Sequence, residues 1–129
     1  MPRKTKRALL ASLDVFTRSY LEGALYAELG DAGLPLDYDF GIQDFTRETI
    51  EQAIRDCTRF QEECAPLLME APTGQDAEQA GYDFWLTRNG HGAGFWDGDW
   101  GTVGDRLTEA SERFGKVSVS AYRGFVSFV

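Results

Sequence analysis

The chain has 129 residues, 43% of them hydrophobic, with nine Phe, five Tyr and three Trp, enough apolar material for one compact core and too little length for two. No apolar run nears the ~20 residues that cross a bilayer, which argues against a membrane-spanning segment. The formal net charge of −8 is uneven: Asp31 to Asp83 carries thirteen acids and three bases, a field that repels nucleic acid and anionic membranes and attracts a basic partner surface.

Residues 1–7 hold Arg3, Lys4, Lys6 and Arg7 and no acid, and read as a flexible basic tail ahead of a single α+β domain over 8–129. Asp14 and Arg18 interrupt the short apolar stretch that follows, so a secretory leader is not expected and an intracellular setting is. Leu9, Leu13, Phe16, Tyr20, Ala24 and Ala27 recur at three- and four-residue spacing and predict one helix over 8–29, closed by Gly30. A second helix is predicted from Thr46, a good N-cap, with Phe45 and Ile50 spaced as a hydrophobic staple and Glu48 and Glu51 in the first turn. Its apolar stripe runs through Ile50, Ala53, Ile54, Cys57, Phe60 and Cys64, and Pro66 ends or kinks it. Two turns of helix place the Cys57 and Cys64 Cα atoms about 10 Å apart, beyond the reach of a disulfide, so both read as core thiols.

Tyr82 to Arg88 is aromatic-rich and reads as a strand, Asn89-Gly90 as a hairpin turn and Ala93 to Trp96 as the returning strand. A third helix is predicted over 102–114, closed by Gly115, and a second hairpin from Lys116 to Val129 turning at Arg123-Gly124. The order α-α-β-β-α-β-β implies an α+β fold, with three helices packed on a small, mainly antiparallel sheet of three to four strands.

Chemistry-bearing residues concentrate between Tyr82 and Gly101. His91 lies in a glycine-flanked turn and reads as a candidate general base, with Asp83, Asp97 or Asp99 to orient it, although no motif places a nucleophile beside it. The Gly90-x-Gly92-x-Gly94 spacing suggests a phosphate loop, but Phe95-Trp96-Asp97 follows where a helix start and a lysine are needed. Asp97-Gly98-Asp99 opens like a calcium loop, yet positions six and twelve are Thr102 and Thr108 rather than Gly and Glu. A different metal site from Asp97, Asp99 and Asp105, with His91, stays as an alternative. No cofactor is expected. Trp85 beside Arg88 is either core or, if exposed, an interface anchor. Glu48, Glu51, Glu62 and Glu63 form the acidic face of the second helix and are candidate binding residues, together with Trp85, Arg88 and His91.

The run Gly81-Tyr82-Asp83-Phe84-Trp85-Leu86-Thr87-Arg88-Asn89-Gly90-His91-Gly92-Ala93-Gly94-Phe95-Trp96-Asp97 resembles a signature of small bacteriophage and mobile-element proteins that have no assigned activity. Gly104-Asp105-Arg106-Leu107-Thr108 is similar to a second stretch in them. The resemblance covers about a quarter of the chain and carries over no site residues. It implies a genetic setting in which small accessory proteins act on the bacterial host. The expectation is a non-enzymatic protein-binding factor, anti-CRISPR-like or DNA-mimic-like, that inhibits a host defence or other nucleic-acid-handling complex in the host cytoplasm. Two alternatives stand beside it. One is a small enzyme or ligand- or metal-binding domain centred on the His91/Asp97 loop. The other is a homodimeric assembly protein that uses Phe125–Val129 as an open edge.

Overall fold

The computed structural model describes residues 4–129. The elements are α1 (Lys6–Ala11), α2 (Val15–Ala27), α3 (Arg47–Met69), α4 (Ala77–Arg88), α5 (Gly104–Glu112), β1 (Val119–Tyr122) and β2 (Phe125–Phe128). Short 3-10 turns occupy Leu36–Tyr38, Ile42–Asp44 and Gly101–Val103. The class is α+β, but the balance differs from expectation: among the described residues there are five helices and one two-stranded antiparallel sheet.

Caps decide where the first helices begin. Thr5 accepts from the Ala8 N–H at 3.1 Å and starts α1. Asp14 accepts from the Thr17 N–H at 2.8 Å and starts α2, so the single helix predicted over 8–29 is broken at Ser12–Asp14. A strong Asp cap there outweighs the continuous apolar stripe. The backbone turns extended at Glu28, earlier than the predicted stop at Gly30. Of the basic segment expected over 1–7, Arg3 lies outside the described residues, while Lys6 and Arg7 are helical. The Lys6 ammonium sits 5.4 Å over the Phe125 ring.

Thr46 caps α3 as expected. Pro66 does not end it: three further residues, Leu67 to Met69, stay helical, with Ala65 and Pro66 on the exposed side. Cys57 and Cys64 are free, buried thiols on the inner face.

The strand predicted over 82–88 is the second half of α4, and the hairpin predicted at Asn89-Gly90 is that helix's C-terminus. Asp76 caps the start by accepting from the Gln79 N–H at 2.9 Å. At the end, His91 N donates to Leu86 O and Gly90 N to Thr87 O, with Gly90 at φ +72°, the left-handed helix stop that glycine allows. Residues 80, 81 and 83–88 are all buried. A helix covered on every side has no amphipathic stripe, so its aromatics imitate a strand. Residues 93–96 belong to the loop that follows, not to a strand.

The predicted third helix is α5 with its preceding 3-10 turn. The predicted final hairpin is β1–β2, paired Val119↔Phe128 through Tyr122↔Phe125. Arg123 (φ +51°) and Gly124 (φ +83°) make its two-residue turn. Thr46 N donates to Val126 O at 2.9 Å, and Phe128 N to Thr49 Oγ1 at 3.2 Å. The outer side of β2 is therefore held against the start of α3. Among the described residues, the side of the hairpin without such bonds is that of β1, not the Phe125–Val129 segment on which a homodimer edge was expected.

The core is a run of rings across α2, α3, α4 and the following loop. Phe60 stacks on Phe84 at 4.2 Å, Tyr20 on Phe84 at 5.2 Å, and Phe60 on Phe95 at 5.7 Å. The largest interface in the molecule is between α2 and α4. These helices meet at two glycines. A Cβ on Gly81 would overlap the Phe16 carbonyl oxygen, and one on Gly23 would lie 3.1 Å from the Tyr82 ring.

Gly→Ala inside a helix ordinarily stabilises by about 1 kcal/mol. At Gly81 the sign is expected to reverse. Gly81→Ala should destabilise by ~1–3 kcal/mol through overpacking, read as a lower urea midpoint at unchanged slope. An unchanged or raised midpoint would show that the two helices can separate freely.

Candidate functional site

α4 and the loop after it hold most of the residues that the sequence marks for chemistry, and the fold turns several of them inward. Arg88 is 5% exposed. Its Nε donates to Gly115 O at 2.8 Å and its Nη2 to Phe114 O at 3.0 Å. Nη1 donates to Tyr20 Oη at 3.0 Å and to Asp56 Oδ2 at 2.9 Å. The guanidinium lies 5.6 Å from both the Phe84 and the Phe114 ring centres. Every donor nitrogen is engaged, so Arg88 is a structural tie rather than an exposed binding residue. Burial pushes the Tyr20 phenol far up, against the pull of Arg88, and the phenol stays neutral.

Trp85 is likewise fully buried, stacked on Phe128 at 5.1 Å, and is not an interface anchor. Asp83 is buried as well. It accepts from Trp100 Nε1 at 2.6 Å and from Gln79 Nε2 at 3.2 Å, so its partners are these two rather than His91. Burial raises its carboxyl above the usual aspartate value of 3.8. The two hydrogen bonds oppose that shift, and the negative charges of Asp97 and Asp99 add to it.

The loop is seated on α4 by its own polar groups. Phe95 N donates to Thr87 Oγ1 at 3.0 Å, while Asn89 Oδ1 accepts from Val117 N, beyond α5, at 2.8 Å. Gly94 takes φ +152° with Thr87 directly against it, leaving no room for a side chain. Asp97 folds over the turn, accepting from Gly94 N at 3.4 Å and from Asp99 N at 3.2 Å. Among the described residues no three His, Cys, Asp or Glu side chains come together to hold a metal ion, so Asp97, Asp99 and Asp105 do not form the metal site held as an alternative.

His91 is oriented by a carboxylate, but not by one of the three expected. Its Nε2 is 2.5 Å from Glu28 Oε2, and the same oxygen accepts from Trp85 Nε1 at 3.1 Å. Both side chains of the pair are partly exposed, at 29% and 27%. A neutral ring that donates from Nε2 to Glu28 would leave Nδ1 as its acceptor, the arrangement a general base uses. Glu28 was missed because it sits at the C-terminal end of α2, 63 residues away, with no local pattern to mark it. His91, Asp83, Asp97, Asp99 and Asp105 do not line the clefts that follow.

The exposed surface carries the acids. Glu48, Glu62 and Glu63 are exposed along α3, and Glu51 is half-buried there; Glu63 pairs with Arg59 at 2.9 Å. A second acidic feature lies between α2, the 36–44 turns and the first half of α4, and was not anticipated. Two adjoining clefts of about 410 and 580 Å³ share Ser19, Tyr26, Glu78 and Tyr82. The Tyr26 and Tyr82 rings stand 6.0 Å apart at 55°, with Tyr26 61% exposed. Leu25 and Phe40 supply apolar wall, and Glu22, Asp37, Asp76 and Glu78 are acidic lining. Ser19 Oγ donates to the Glu78 carbonyl at 2.5 Å and fixes the first turn of α4 against α2.

No protein-family model matches the chain, and no curated protein or solved structure matches it.

Two variants test the inward roles. Arg88→Met should cost about 3–5 kcal/mol in chemical denaturation, since it strips donors from Asp56, Tyr20 and two carbonyls; wild-type stability would show that the tie is dispensable. Asp83→Asn keeps an acceptor for Trp100 and removes the ionisation. The native Asp83 pKa is raised, so the wild type loses stability as pH climbs from 3.8 through the raised value. The melting-temperature advantage of Asp83→Asn should therefore grow upward through that window, and a constant difference would contradict it.

Proposed function

We propose that the chain is a non-enzymatic, acidic protein-binding factor of a bacteriophage or mobile element, and that it inhibits a host defence or other nucleic-acid-handling complex in the host cytoplasm by covering one of its basic surfaces. The observation that carries this reading is the division of polar groups. Asp83, Trp85, Arg88 and Asn89, the side chains of the recognisable run, are bound into the fold. The acids of the 31–83 segment lie largely outside, on α3 and along the Tyr26/Tyr82 clefts. An outward field of one sign steers a basic partner and repels nucleic acid itself. Among the described residues no helix is long and apolar enough to cross a membrane.

The Glu28–His91 pair favours a second reading, a small ligand-binding or catalytic domain. The two separate in one experiment. Wild type, the Glu48→Lys/Glu62→Lys/Glu63→Lys variant and His91→Ala, each checked for folding, are used to capture partners from host lysate. The proposal expects one complex, kept by His91→Ala, lost by the charge reversal, and released by ~1 M salt as the Debye length contracts to about 3 Å. Capture that survives both the reversal and high salt, or is lost only with His91→Ala, would move the function to the Glu28–His91 pair.

A further inference from the structure

We infer that the Tyr26/Tyr82 groove is an arginine-recognition site, one that takes the guanidinium of a partner protein's side chain between a tyrosine face and the carboxylates of Asp37 and Glu78. The inference rests on the reading of a basic protein partner given above and names the side chain that this face would bind.

The lining supplies the three things a guanidinium needs. The first is an aromatic face: Tyr26 projects with most of its surface open, and Tyr82 stands behind it at 6.0 Å. Tyr82 is held above the usual phenol range by burial, and by the charges of Tyr26 and Asp83, so its ring is a neutral π surface. The second is unspent negative charge. Among the described residues, the Asp37 and Glu78 carboxylates make no hydrogen bond or ion pair, whereas Glu22 is shared with Arg18 at 3.5 Å and Asp76 caps α4. Among the described residues no basic side chain lines either cleft. The third is a wall for the aliphatic stem, which Leu25 and Phe40 provide.

Shape favours arginine over lysine. A guanidinium is planar, is weakly hydrated, stacks on an aromatic face and can donate to two carboxylates at once, whereas an ammonium is compact and strongly hydrated. Gly23 matters to this geometry: it is the absent side chain that lets Tyr82 lean against α2 and form the back of the groove.

The test uses the whole, isotope-labelled protein and three probes: acetyl-Gly-Arg-Gly-amide, the same peptide with citrulline, and the same with lysine. Citrulline keeps arginine's shape and removes its charge. The arginine peptide is expected to cause saturable amide shifts centred on Gly23, Tyr26, Asp37, Glu78 and Tyr82, with lysine and citrulline about tenfold weaker. Tyr26→Ala and the Asp37→Asn/Glu78→Gln variant, whose spectra report that they are folded, should each abolish saturation. The Glu48→Lys/Glu62→Lys/Glu63→Lys variant should keep it. Equal binding of citrulline, shifts spread along α3, or no saturable shift with any peptide would overturn the proposal. Those results would leave partner capture by the α3 face standing or falling on its own experiment.

Discussion

The burial of one positive charge organises this molecule. Arg88 closes α4 and reaches α2 through Tyr20, α3 through Asp56, and the end of the α5 segment through the Phe114 and Gly115 carbonyls. A guanidinium taken out of water is costly unless each of its donors is matched. Here the matching groups come from three separate stretches of chain, so the cation is tolerated only when those stretches are correctly assembled. Phe84 and Phe114, each 5.6 Å from the guanidinium, pack beside it and belong to the same ring cluster that fills the core. The polar tie and the apolar core are thus one construction, seen from its charged and its uncharged sides.

What the sequence reveals divides along a physical line. Elements with a wet face are legible: Thr46 and the α3 stripe, the α5 helix, and the Arg123-Gly124 hairpin all follow from periodicity and turn chemistry. α4 is illegible for the opposite reason. With residues 83–88 all buried, hydrophobic and polar positions carry no helical period, and Tyr82, Phe84 and Trp85 have the composition of a strand. The Asp76 cap and the Gly90 stop were present as signals, but an Asn-Gly step serves a helix end as readily as a hairpin. Site residues fared likewise. The exposure of Glu48, Glu62 and Glu63 was readable from helix geometry. The inward turn of Arg88 and Trp85, the pairing of His91 with Glu28, and the meeting of Tyr26 with Tyr82 depend on contacts between distant segments.

The glycine-rich run after α4 now has a structural account. Its groups are consumed in stopping the helix, seating the loop on Thr87, and closing a turn with Asp97. Such a stretch is specific in sequence because few residues satisfy its backbone, quite apart from any contact with a partner. The surface that faces outward instead draws on α2, α3, the 36–44 turns and the first turn of α4.

The glycine contacts between α2 and α4 bear on that surface in a mechanical way. Tyr26 and Tyr82 stand on the same two helices that Gly23 and Gly81 bring into backbone contact. The gap between the rings is therefore set by the closest approach of two main chains, which has almost no freedom to vary, rather than by the compliance of a loop. A cleft built this way loses little entropy when it is filled, because its walls are already at their final spacing. It also means that a change deep in the helix pair, remote from solvent, would be felt at the surface as a change of gauge, so that the stiffness of the core and the selectivity of the face are inherited together.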